Sequence, residues 1–213
     1  VSATHLSPST GTSGDPGPAV LVDQALEDPD LTRIIVAPPG EEETGIAPDV
    51  FLSEIVAALM KHDRLDVEIA YVAPHETPAT KVYGLKQGAN AMALAESGVA
   101  QSVPLIRDDA ATVLVGYARH IGAGDEKLHG ETYVDSEQLF DGETEAIEIE
   151  PTLDEPGVRG RVSRWLPGGW KAGRAVQTGG SNLLVEREGV ITERVVKRST
   201  FYRHHVDWKL VGL

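Results

Sequence analysis

The apolar residues of this 213-residue chain change their spacing near residue 125, and the two spacings ask for two kinds of lobe. Before that point the pattern is one of short apolar runs around a helical face. Residues 32–37 (TRIIVA) form an apolar run ended by Pro38, Pro39 and Gly40, which reads as a buried strand. Pro48 and Asp49 mark a helix start, and Leu52, Ile55, Val56, Leu59 and Met60 then recur on one helical face. Residues 67–73 (VEIAYVA) give the next strand, stopped by Pro74. A strand, a helix and a strand in this order favour a parallel sheet. Residues 20–26 read as a short helix or strand. Residues 79–97 read as helix, broken between Gly84 and Gly88, with Gly98 as C-cap. Residues 99–106 and 112–119 read as strands, with Arg107, Asp108 and Asp109 as the turn between them.

After residue 130 the period becomes two. Residues 131–134, 146–150, 158–163, 173–178, 183–186 and 193–197 are short strand candidates. The turns between them carry Asp141-Gly142, Pro156-Gly157, Gly179-Gly180 and Glu188-Gly189. In residues 146–150, Ile147 and Ile149 point one way and Glu148 and Glu150 the other. The expected fold is therefore an α/β N-terminal lobe, a short parallel or mixed sheet with flanking helices, over residues 20–124. An antiparallel β-rich lobe follows over residues 125–213. Residues 1–19, rich in Ser, Thr, Gly and Pro without apolar periodicity, are expected to be a mobile tail.

Charge follows the same division. Residues 1–150 hold 8 Lys/Arg against 27 Asp/Glu, and residues 151–213 hold 11 against 6. The overall net charge of −14 repels phosphates, so no nucleic-acid binding by the whole molecule is expected. There is no cysteine, which excludes disulfides and thiolate metal sites. No apolar run is long enough for a membrane span, and the start lacks a basic, apolar leader, so a cytoplasmic home is expected.

The chemistry-bearing candidates lie at three places. The loop at residues 38–45 holds Glu41, Glu42 and Glu43, and the loop at residues 74–80 holds His75 and Glu76. Ligands of parallel sheets bind beyond the strands' carboxyl ends, where these groups would meet a divalent ion. A solvated acidic edge is the stronger reading, and no metal site is assigned. His75-Glu76 does not continue into HExxH, and GxGxxG, GxxxxGK[ST] and GxSxG are all missing. The third place is the tail. Thr178, Gly179, Gly180, Ser181 and Asn182 suggest either an anion-binding run of backbone N–H groups or a hairpin turn. Arg194, Lys197, Arg198, Arg203, His204 and His205 follow, among Trp165, Trp170, Phe201, Tyr202 and Trp208. Such a surface suits a phosphorylated or aromatic anion. Equally, the aromatics fill a small β core and the cations line its wet face. Adjacent His204 and His205 point to opposite strand faces and make a poor metal pair.

Two short stretches carry a resemblance. Gly88-Ala89-Asn90 with Ala93 and Gly98 resembles the G-T-x-N-x-x-A-x-x-x-G segment of the diacylglycerol kinase and NAD kinase-like superfamily. Asp141-Gly142-Glu143, before an alternating strand and Pro151, resembles the D-G-E turn of that family's β lobe, or is a hairpin turn. The family's GGDGT nucleotide loop is absent; residues 72–77 (VAPHET) stand in its place. The resemblance implies a two-lobed relative that has lost that loop.

Three functions follow as expectations. The first is a non-catalytic protein holding a small anionic, phosphorylated ligand near the lobe junction or on the tail. Its ligand-binding residues would be Thr178, Gly179, Gly180, Ser181, Lys197, Arg198 and Arg203. The second is a divergent lipid or nucleotide kinase-like enzyme. The third is an assembly protein, a homo-oligomer joining acidic lobe to basic tail. No catalytic residue and no cofactor is assigned.

Overall fold

The computed structural model describes residues 2–7, 16–38, 45–163 and 169–213. The chain divides into two compact units, Val1–Val103 with Val206–Leu213, and Pro104–His205. The sequence reading puts the junction near residue 125. The structure puts it where the parallel sheet gives way to antiparallel pairing, and it returns the last strand to the first unit.

The first unit is built on a five-stranded sheet in the order β1-β2-β3-β16-β4, where β1 is Ser2–Leu6, β2 Leu31–Val36, β3 Glu68–Tyr71, β4 Ala100–Val103 and β16 Trp208–Val211. β1, β2, β3 and β16 run parallel, and β4 is antiparallel to β16, so the sheet is mixed. Residues 2–6 are thus a strand, where a mobile tail over 1–19 is expected from composition. Backbone pairing with β2 supplies what the apolar pattern lacks. Residues 8–15 of that tail lie outside the described residues.

Helix α1 (Pro18–Ala25) precedes β2, and α2 (Pro48–Lys61) joins β2 to β3. Both begin with proline in the first turn, where its missing N–H costs nothing. Phe51, Leu52, Ile55, Val56 and Leu59 of α2 are all buried, as the helical spacing requires. Each such side chain contributes about 1.5–3 kcal/mol by leaving water. The expected broken helix is two helices, α3 (Pro78–Tyr83) and α4 (Gly88–Ser97). Gly84 closes α3 in the left-handed region, and Gly88 takes φ +57° at the start of α4. Ala91 and Ala95 of α4 pack on Ile35, Ala70, Val72 and Val211, one face of the sheet. Ile34, Ile69 and Leu210 point to the other face and are equally buried. Arg33 is buried on the α4 face. It binds Glu68 Oε2 at 2.6 Å and donates to the carbonyls of Ala95 (2.7 Å) and Gly98 (2.8 Å), tying two strands to the negative end of α4.

The second unit is an eleven-stranded antiparallel sheet. Its main path is β12-β11-β10-β7-β13-β15-β5-β6. These are β5 (Ile106–Asp108), β6 (Val113–Leu114), β7 (Ala118–Gly122), β10 (Ala146–Pro151), β11 (Val158–Val162), β12 (Lys171–Gly173), β13 (Ala175–Arg187) and β15 (Val196–Arg203). Off the path lie β8 (Leu128–Val134) and β9 (Glu137–Thr144), paired with each other and with β13 through β8, and β14 (Val190–Ile191), paired with β13. The core gathers Ile106, Leu114, Leu128, Ile147, Ile149, Val176, Leu183, Val185 and Phe201 among others.

Three expected turns are strand instead. Arg107 and Asp108 belong to β5, and the turn falls after them. Asp141-Gly142-Glu143 lies inside β9, whose hairpin with β8 turns at Asp135, φ +52°. Thr178 to Asn182 lie inside β13, a single 13-residue strand where two short ones with a turn are expected. The reason is a fork. β13 pairs with β8 up to Gly180 and with β7 from Leu183 onward, and its register against β15 shifts in between. The two neighbours change over where glycine lets the backbones close up. A Cβ on Gly130 of β8 would collide with the carbonyl oxygen of Gly179.

Candidate functional site

The fork sets where the expected ligand residues go. Neither Gly179 nor Gly180 takes a left-handed φ, so their N–H groups do not converge as an anion nest or as a primed turn. Gly180 stands in register with Gly130 and, through it, with Gly142, leaving a bare track across β13, β8 and β9. The next row reads Arg198, Gly179, Glu131, Asp141. A Cβ on Gly179 would have no neighbour nearer than 3.9 Å, so the floor beside Arg198 is open. Arg198, Glu131 and Asp141 are exposed along this row. The D-G-E segment thus lies along the glycine track.

Gly179 and Arg198 are brought together; the remaining candidates are not. Lys197 is one residue along β15 and faces the other way. Ser181 is exposed in the shifted segment. Arg203 is tied to Glu155 at 2.7 Å, its side chain 17% exposed. The Thr178 side chain points into the core, where its Oγ1 lies 2.7 Å from His120 Nδ1 and 2.9 Å from Thr132 Oγ1. His120 is completely buried, 5.6 Å from the Phe201 ring, and its Nε2 has no hydrogen-bond partner among the described residues. Burial, with the Arg187 charge as a smaller cause, lowers its pKa from 6.5 to about 3. Sequence reading passes over His120; the only signal for it is the inward phase it shares with Ala118 on β7.

Half of the described Lys and Arg of residues 151–213 are paired with carboxylates inside the second unit. Arg159 pairs with Glu150 (2.7 Å), Arg161 with Glu148 (2.6 Å), and Arg187 with the buried Asp108. Lys171 pairs with Glu137. Trp170 lies under the guanidinium groups of Arg159 and Arg161, at 4.6 and 4.4 Å. Phe201 is core, Trp208 packs edge-on against Tyr83 in the first unit, and Trp165 lies outside the described residues. Arg194, Lys197 and Arg198 are exposed and enter no ion pair among the described residues.

In the first unit the strand-end loops are modest. Glu41, Glu42 and Glu43 lie outside the described residues. His75 and Glu76 are exposed, and Glu76 pairs with Lys81 at 3.0 Å. The start of α3 is satisfied internally: Thr77 and Thr80 cap one another, and buried Asp49 accepts from Ala79 N–H (2.9 Å) and Tyr71 O–H (2.8 Å). Helix α4 starts beside the end of β3, with Gly88 N–H donating to the Ala73 carbonyl at 3.0 Å, and Gln87 gives it no side-chain cap. A pocket between Tyr71, Leu85, Lys86 and Leu94 has a volume of about 10 Å³, room for one water and not for a nucleotide. Among the described residues no three His, Asp or Glu side chains gather as metal ligands.

No family profile matches the chain, and no curated relative matches it by sequence. Solved structures do match. A diacylglycerol kinase from Bacillus anthracis str. Sterne superimposes with TM-score 0.67 over 99% of this chain and 96% of its own, at 11% identity. An NAD kinase from Archaeoglobus fulgidus in complex with ATP superimposes with TM-score 0.54 over 98% of this chain and 92% of its own, at 10% identity. At these identities the likeness is one of fold. The chain has the kinase-like fold of these structures, a mixed sheet with helices followed by a larger antiparallel sheet.

Proposed function

We propose that the chain is a kinase-like protein that binds a phosphorylated ligand, with ATP as the ligand and a lipid or nucleotide hydroxyl as acceptor. The observation that carries this reading is the fold match, which spans nearly the whole chain for a diacylglycerol kinase and for an NAD kinase holding ATP. The second unit adds a place for an anion. Arg198 is an exposed guanidinium that enters no ion pair among the described residues, set beside Gly179, where a side chain would have no neighbour nearer than 3.9 Å. A guanidinium over open backbone suits a phosphate group, which it can grip with two N–H bonds. Glu131 and Asp141 on the same row would repel bare phosphate and favour a magnesium-bound one.

Calorimetric titration with magnesium-ATP tests the site. Arg198→Ala should weaken binding by about tenfold or more, the size of one charge-assisted hydrogen bond. Lys197→Ala, on the other strand face, should leave affinity unchanged. Equal losses in both variants would remove Arg198 from the site, and no heat with the native chain would end the ATP reading. The assembly reading retains only the exposed cations left unpaired, and sedimentation at low salt checks it: a monomer there dismisses it.

A further inference from the structure

The hairpin of β13 and β14, with the segment that leads on to β15, is apolar and basic. Its turn is Glu188-Gly189, with φ +47° and +85°, both positive as a type I′ turn requires. The turn is held rigidly. The buried Glu188 carboxylate accepts the N–H groups of Val115 (2.8 Å), Gly116 (2.9 Å) and Tyr117 (3.1 Å), and Glu188 N–H donates to the Tyr117 carbonyl. From this fixed base come Val190, Ile191 and Val195, which are 56%, 48% and 47% exposed. Arg194 and Lys197 stand among them, exposed and without an ion pair among the described residues, with Glu193 as the one exposed acid. Ile191 pairs with Glu186 and Val196 with Leu183, so the four residues 192–195 stand opposite only Leu184 and Val185 and bulge from the edge of β13.

We propose that this hairpin docks the protein on an anionic lipid bilayer, placing Val190, Ile191 and Val195 in the interfacial layer and Arg194 and Lys197 on the lipid phosphates. The proposal rests on the reading of a lipid acceptor given above and says how such a substrate is reached. Two arguments select a membrane over a protein. Three half-exposed aliphatics offer far less than the ~800 Å² per partner of a standard protein interface, whereas shallow insertion with flanking cations is how peripheral elements hold a bilayer. And residues 189–197 carry Arg194 and Lys197 against Glu193 in a chain of net charge −14, so this edge presents net positive charge to a negative surface.

Flotation of the full chain with phosphatidylcholine vesicles, with and without roughly one third phosphatidylglycerol, and without nucleotide, tests this. Binding should appear only with the anionic vesicles and fall as salt rises. The double variant R194A/K197A should weaken it by about 25-fold, from roughly fivefold per basic residue near such a surface. Ile191→Glu with Val190→Glu should abolish it, while circular dichroism of both variants matches the native chain. The idea is overturned if the native chain ignores anionic vesicles, if both variants float as well as it does, or if the apolar variant alters sedimentation of the free protein and not flotation. Because no nucleotide is present, failure here is separate from failure of the ATP titration.

Discussion

His120 shows how one residue can set a property of the whole second unit. A neutral imidazole is sealed in the core with Thr178 on one nitrogen, Thr132 behind it on the Thr178 hydroxyl, and no partner for the other nitrogen among the described residues. Its pKa falls from 6.5 to about 3 on folding, chiefly through burial. Between those values the unfolded chain takes up a proton that the folded chain refuses, so this residue's contribution is complete above about pH 6.5 and declines as the pH falls toward 3. Urea unfolding at pH 5 should give a stability about 2 kcal/mol below that at pH 7 from this group, at ~1.4 kcal/mol per unit. His120→Gln should flatten that part of the slope. Equal pH dependence in the native chain and the variant would show that the imidazole is hydrated or charged in the folded state. Arg33 is the counterpart in the first unit: it is a buried charge whose hydrogen bonds are met by Glu68 and the end of α4, and Arg33→Ala should cost about 3–5 kcal/mol by stranding its partners. Unfolding of that unit at the native denaturant midpoint would refute the cost.

At the scale of elements, the early strands and helices could be read from the sequence because each makes its own signal. Leu52, Ile55, Val56 and Leu59 recur at helical spacing whatever they pack against, and Gly84 and Gly88 break the helix where the structure breaks it. The failures come where a long-range partner decides. Ser2 to Leu6 form a strand only because β2 lies beside them. Gly179-Gly180 has the composition of a turn, but it serves the crossing of β13 past β8, which no local pattern encodes. The candidate site shares this fate: the Arg198–Gly179 pairing joins residues 19 positions apart through a register that strand alternation alone does not specify. The crossing itself makes a prediction. Gly130→Ala would drive a methyl group into the Gly179 carbonyl, so the β8–β9 hairpin should detach from β13. Hydrogen exchange should show lost protection across residues 128–134 and 137–144, with the first unit's amides unchanged. Native protection in that hairpin would mean that the strands can part without cost.

At the scale of the whole molecule, the division of charge along the chain means less than its placement. Residues 151–213 are basic in sequence, yet Arg159, Arg161, Lys171, Arg187 and Arg203 each meet a carboxylate within the second unit. Among the described residues Arg174, Arg194, Lys197, Arg198 and Lys209 enter no ion pair, and the functional account depends on the three of them at the fork and its hairpin, Arg194, Lys197 and Arg198. The fold match gives these residues their context, since it pairs the chain with structures described as kinases. The most direct test is therefore thermal unfolding with and without millimolar magnesium-ATP. A ligand at a hundred times its dissociation constant adds ~2.7 kcal/mol, so the account predicts a midpoint raised by several degrees. An unmoved midpoint would contradict it, leaving a kinase-like fold that does not hold ATP.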